Sequence, residues 1–364
     1  MVKEYLEMYI LKMESIKITM DVLDENMQSR IKKEMNKYKD AILMAIYFDD
    51  LLDKRDDKKL EKHVQRYITV NEINEEDRMI SYKFNRAGDQ LNKQKSIEEA
   101  IKIISIGFNT LTTMYNNLLI SILIEFENII TKIFEKIISK YPSAYLGNSN
   151  ISYTQVIKSK DLSEVKRNII DKQVAVIMRE NIFEWFRILE KKHRISISLE
   201  NEYMKKFIEA YYRRNIIVHN DSKINSDYIK GVGGVCNKIS DDMLGKKVRC
   251  SKEYIKEIIN ASLYVMIYFE NQITELFKDE NDNFVGFLMN FAYEKIKDEE
   301  FTLAREVCRL LKDRKNINQE ARIYSLINFW QTYKWDGKYE EVKKEVDEFD
   351  ISAYDDVIKL AVYA

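Results

Sequence analysis

Apolar residues recur every three or four positions along most of this chain, the spacing that lines one face of an α-helix. Leu111, Tyr115, Leu118, Ile122, Phe126, Ile129, Ile133 and Ile137 form one stripe, roughly eight turns long, that Pro142 and Gly147 close. A second helix is predicted over 164–192, with Met178, Ile182, Trp185 and Leu189 on one face. A third spans 199–214 and carries Tyr203, Phe207 and Tyr211. A fourth begins after Ser251, which reads as an N-cap, and its stripe runs from Ile255 through Ile259, Met266, Phe269 and Ile273 to Phe277. Four such helices with short to moderate connections predict an antiparallel bundle over 96–278.

The flanks read differently. Residues 1–95 form an N-terminal, mostly helical region, charged over 3–54. Two alternating runs follow, His63 to Asn71 and Asp77 to Asn85, and in the second Ile80, Tyr82 and Phe84 share a face at period two. They predict either a small β-hairpin or an irregular charged linker. Over 279–364 a repeat appears at a 38-residue offset: Leu288 matches Leu326, Phe291 matches Phe329, Cys308 matches Val346 and Leu311 matches Phe349. Each unit reads as helix, turn, helix, with turns near Lys297–Glu299 and Trp335–Lys338. This resembles tetratricopeptide-like arrays, although the offset exceeds their usual 34 residues and their tryptophan and glycine positions are missing. The expected fold class is therefore all-α: a four-helix bundle, extra N-terminal helices and C-terminal helical hairpins. The sequence stops inside what would be a third unit, so the tail is either cut short or packed on the bundle.

Composition supports this picture. One proline and nine glycines in 364 residues leave long helices uninterrupted. Hydrophobic residues at 45% and charged residues at 33% supply a sizeable core and argue against wholesale disorder. Cys236, Cys250 and Cys308 show no Cys-x-x-Cys pairing and read as reduced thiols, which favours a cytoplasmic protein with neither a zinc site nor a disulfide frame. No secretory signal opens the sequence, and five charges interrupt its most membrane-like stretch, 118–138, so no membrane partner is expected.

The formal net charge is −1, so no whole-chain basic field draws nucleic acid. Locally the balance shifts. Residues 205–249 hold ten basic and five acidic side chains, a net of +5, whereas 279–356 hold twelve and nineteen, a net of −7. Positive charge thus gathers around the string Tyr211-Tyr-Arg-Arg-Asn-Ile-Ile-Val-His-Asn220. In a continuing helix Asn215 and His219 share a face. Arg214 lies five residues before His219, so those two converge only if the helix breaks or bends, and the glycine-rich segment that soon follows points to such an ending.

That string resembles the motif of the HEPN family: an arginine (Arg214), a polar residue (Asn215) and, a few residues on, a histidine (His219). Asn220, Tyr228 and the acidic position in Phe126-Glu127 look familiar in the same family, and the predicted bundle is its expected context. The resemblance covers about half the chain. It implies RNA cleavage without a metal or other cofactor, in a cleft built from both motifs of a homodimer, and a role as a toxin or anti-phage defence effector. The residue types suit that chemistry. An imidazole titrates near neutral pH and can act as general acid or base for 2′-hydroxyl attack. A guanidinium stabilises the charged phosphorane, and Asn215 can orient the histidine or hold the phosphate. Arg213, Asn220 and Tyr212 are the expected substrate-binding residues, with Arg213 also an alternative for the working arginine and Tyr212 a stacking surface for a base.

Other readings stay open. Some HEPN-like domains are inactive scaffolds, and here the bundle would dimerise while the tail binds a partner protein or an antitoxin. Nucleotide binding without cleavage is a third. Gly231-Val-Gly-Gly234 follows no predicted strand and lacks a Gly-Lys-Ser ending, so it reads as a loop and not a phosphate cradle. His63 and His193 lack comparable neighbours and read as surface residues.

Overall fold

The computed structural model of the protein describes residues 2–37, 43, 46, 47, 58–66, 68–74, 79–85, 90–147, 153–195, 198–235, 240–277 and 281–363. Cys236, one of the three cysteines, lies outside the described residues. The fold is all-α apart from one two-stranded sheet. In chain order the elements are α1 (Val2–Lys37), α2 (Lys58–Val64), β1 (Ile68–Asn74), β2 (Met79–Phe84), α3 (Gln90–Lys140), α4 (Pro142–Leu146), α5 (Tyr153–Lys158), α6 (Leu162–Met178), α7 (Ile182–His193), α8 (Glu202–His219), α9 (Ser226–Gly233), α10 (Lys252–Phe277), α11 (Asn281–Lys297), α12 (Phe301–Asp313), α13 (Gln319–Trp335), α14 (Lys343–Asp347) and α15 (Asp356–Tyr363). Among the described residues no helix is long and apolar enough to cross a membrane.

The chain forms two compact units, one of residues 1–17 with 118–364 and one of residues 18–117. These boundaries differ from the expected divisions at 95 and 278. In the smaller unit β1 and β2 pair antiparallel from Ile68↔Phe84 to Asn74↔Met79, with an irregularity between Val70 and Glu72. The hairpin exists, but its first strand starts five residues later than the alternation suggests, because His63 and Val64 close α2. Asp24 is buried there and accepts the Tyr115 hydroxyl.

The larger unit is built around α10. Almost every position from Ile258 to Phe277 is buried, so this helix is covered on all sides and not on one stripe. Ser251 caps it as predicted, its Oγ accepting the Tyr254 N–H at 3.1 Å. Two buried hydroxyls inside bond the helix's own backbone: Ser262 donates to the Ile259 carbonyl and Thr274 to the Glu270 carbonyl. The predicted stripe of α3 is buried from Leu118 to Ile138, and Leu6, Tyr9 and Met13 of α1 are buried in the same unit.

The expected helix over 164–192 is two helices. Asn181 interrupts it by accepting the Glu184 N–H, and the indole of Trp185 donates to the Ile177 carbonyl at 2.8 Å across the break. Ile182, Trp185 and Leu189 of the predicted face are buried, but Met178 is half-buried and its neighbour Ile177 is buried in its stead. The apolar register therefore shifts by one residue at a break that periodicity does not reveal.

The tail does fold as helical hairpins, α11–α12 and then α13 with a short, irregular return over 339–347. Its turns fall where the repeat placed them, at Glu299 and Gly337, both with positive φ. It belongs to the same compact unit as the bundle. Arg314 is a reason: its buried guanidinium donates to the backbone and side-chain carbonyls of Asn271 in α10. His193 also departs from expectation. It is half-buried between Tyr141 and Tyr145 and hydrogen-bonds the Tyr145 hydroxyl at 2.9 Å; burial first, then Lys192, holds its pKa below the usual value.

Candidate functional site

The motif lies on the last two turns of α8, which Asn201 caps by accepting the N–H groups of Tyr203 and Met204. Helical spacing sends its residues in three directions. Arg214 turns toward α3, where it donates to Glu127, and its guanidinium carbon lies 5.0 Å from the ring centre of Tyr211. Its Nε is buried without an acceptor.

Arg213 turns toward α10. Its Nε donates to Glu209 at 2.7 Å, one amino group donates to the Arg249 carbonyl at 3.1 Å, and the guanidinium lies 4.0 Å over the ring of Tyr254. Glu209 also accepts the hydroxyls of Tyr228 and Tyr254, so this one carboxylate gathers α8, α9 and α10. Burial alone would lower the Arg213 pKa, but Tyr254 and Glu209 outweigh it and hold the guanidinium charged. Arg213 is thus committed to a structural network and is not free to meet a phosphate, as the substrate-binding expectation required.

Asn215, His219 and Tyr212 take the third direction and line a cleft of about 880 Å³ between α8 and α9. Asn215 and His219 do share a face, as their spacing implies, and His219 is exposed. A small core of Ile216, Ile224, Tyr228 and Val232 holds the two helices together beneath the cleft. Tyr212 packs on this core, and its ring also meets Phe183.

Helix α8 runs unbroken through His219, so the bend needed to bring Arg214 beside it does not occur. Five residues of ideal helix put the two side chains about 140° apart around the axis. Arg214 is not part of the cleft lining.

Asn220 is the C-cap. Its N–H bonds the Ile216 carbonyl at 2.9 Å, and its side-chain amide donates to the Lys223 carbonyl at 2.6 Å. It therefore shapes the loop and does not reach into the cleft. Asp221 and Ser222 follow in the left-handed region, with φ of 49° and 60°. Each such non-glycine residue costs about 1 kcal/mol or more. Hydrogen bonds hold the segment: Ser222 N–H to Ile216, Val248 N–H to Ser222 and Ile224 N–H to Lys246. Asp221 pairs with Lys247 at 2.9 Å, and this contact, with Lys223, holds its carboxyl below the usual range.

Several cleft residues have no mark in the motif. Asn181 and Asn225 line it while capping α7 and α9, and Phe183, Asp227, Lys230 and Gly231 are among the other lining residues. The Asn-x-x-Glu pattern at 181–184 marks a cap in sequence, but nothing there says which cavity the cap borders. Glu209 was not singled out in the sequence, although it stands four residues before Arg213, the spacing of a helical ion pair. Among the described residues no three His, Cys, Asp or Glu side chains group to hold a metal ion. Burial pushes the Cys250 thiol up to about 11 and that of Cys308 up to about 12, away from reactive thiolates.

Compared with models of protein families, with curated proteins and with solved structures, the chain matches none. The functional reading therefore rests on the residues and their geometry.

Proposed function

We propose that this protein is an endoribonuclease of HEPN type that cleaves RNA without a metal, with His219 as its proton-transfer group. The observation that carries the reading is the exposed imidazole of His219 one turn beyond Asn215, both opening on a cleft that also offers Lys230 and aromatic rings. The net charge of +5 over 205–249 favours a polyanion there. In the reaction His219 takes the proton of a 2′-hydroxyl, whose oxygen attacks the adjacent phosphorus. The bond to the 5′-oxygen breaks, and that oxygen leaves with a proton from the imidazolium of a second copy. The products are a 2′,3′-cyclic phosphate and a 5′-hydroxyl. Asn215 steadies the imidazole or a phosphate oxygen.

Arg214 enters this scheme through dimerisation. Within one chain it faces another way and is neutralised by Glu127, so it reaches the phosphate only in a cleft completed by a second copy, where phosphate competes with Glu127. The cellular role that goes with the reading is that of a toxin or anti-phage defence effector. Cleavage of single-stranded RNA in EDTA, lost in both His219→Ala and Arg214→Ala, is the test.

The separation of Arg214 from His219 favours a second reading, a non-catalytic HEPN-like dimer whose helical tail binds a partner protein. It predicts intact RNA under every condition and a cellular phenotype that His219→Ala leaves unchanged but charge reversal on the tail abolishes.

A further inference from the structure

Proton transfer alone does not require the lining that surrounds His219. Tyr212 and Phe183 present neighbouring rings, with centroids 6.2 Å apart and planes at 39°. Asn181 and Asn225 have their Oδ1 atoms committed to the N–H groups of Glu184 and Tyr228. What remains for each to offer the cleft is an amide N–H. Lys230 adds an exposed cation, against one carboxylate in the lining, Asp227. A donor-rich cleft with an aromatic wall suits a flat ring that carries carbonyl and ring-nitrogen acceptors and is joined to phosphate. At about 880 Å³ it falls within the range of small-molecule sites and exceeds one base. In a duplex both faces of a base are covered by its neighbours and its pairing edge is engaged, so a base must be unpaired to enter.

We infer that this cleft seats one unstacked base of single-stranded RNA against Tyr212, with the amides of Asn181 and Asn225 donating to its acceptors and Lys230 meeting the adjoining phosphate. The inference rests on the nuclease reading for its polymer and adds the residues that seat an unpaired base. Gly231 belongs to the device: a Cβ built at that position falls 2.2 Å from Cζ of Tyr212, so any side chain there displaces the ring.

The test is binding by the full chain carrying His219→Ala, which holds RNA uncut, read by fluorescence anisotropy with a labelled single strand and with its blunt duplex. The single strand binds about tenfold tighter or more, and adding Tyr212→Leu weakens it about tenfold. Lys230→Glu, at an exposed position where folding is not at risk, weakens it as well. Equal affinity for strand and duplex, or both variants binding like their parent, overturns the inference. Cleavage by the unmutated chain measured alongside separates the two readings. Cutting without strand preference leaves the nuclease and removes the base-seating cleft; strand preference without cutting, with both variants still weakened, keeps the cleft and removes the nuclease.

Discussion

Gly231 lies against the ring of Tyr212 so closely that a methyl group on its Cα would overlap the phenol, with Cζ, Cε1 and Cε2 all within 2.6 Å. The ring itself rests on the Ile216–Tyr228–Val232 core, so it has little room to retreat. Gly231→Ala therefore overpacks the junction of α8 and α9. A loss of about 2 kcal/mol of stability is expected from chemical denaturation. Wild-type stability in that variant would mean the ring moves aside without cost.

Glu209 gathers three side chains, Arg213, Tyr228 and Tyr254, at one carboxylate. Glu209→Gln removes the charge facing Arg213 and weakens the bonds from two tyrosines, leaving a largely buried guanidinium with fewer acceptors. Breaking a buried pair in this way costs about 3 kcal/mol. The expected result in urea is a lower midpoint with an unchanged slope.

Tyr228 and Tyr254 report the same network at alkaline pH. Burial first, and then the Glu209 carboxylate, raises both hydroxyls above the ordinary value of 10.0. The folded chain therefore keeps these protons where the unfolded chain has lost them. The stability they contribute is full below about pH 10 and falls as pH rises through and beyond that value. Tyr254→Phe removes one such group, so its unfolding free energy falls less steeply above pH 10 than that of the wild type. Identical slopes would place the Tyr254 hydroxyl outside the linkage.

The pair Glu127–Arg214 separates a catalytic arginine from a structural tie. If Arg214 serves the phosphate, Arg214→Ala lowers cleavage by about 10²–10³-fold per folded molecule. Glu127→Gln, which keeps an acceptor but removes the competing charge, then tightens RNA binding at low salt. If the pair only joins α8 to α3, both variants lose stability together and the folded fraction cleaves at the wild-type rate.

Much of the helical plan was legible because it follows from local spacing. The stripe from Leu118 to Ile137 and the cap at Ser251 appear where the pattern put them. The break at Asn181 escaped because Met178 and Ile182 keep helical spacing across it. Periodicity left open whether the tail packs on the bundle, because the contact that joins them, Arg314 with Asn271 of α10, is nonlocal. At the site, periodicity paired Asn215 with His219, but the bent helix end expected to bring Arg214 beside His219 does not occur, because α8 runs on through His219. Periodicity did not show that Glu209 occupies Arg213, or that two helix caps from other segments, Asn181 and Asn225, border the same cleft.

The central claim is that a ribose 2′-hydroxyl attacks its own phosphate with His219 moving the proton. An RNA strand carrying one 2′-deoxy residue at the cut position tests it most directly, incubated with the purified chain in EDTA. The account predicts cutting of the all-ribose strand to a 2′,3′-cyclic phosphate end, no cutting at the deoxy position, and a loss of about 10²-fold or more with His219→Ala. Cleavage at the deoxy position, or a cut that persists at full rate without His219, would contradict it.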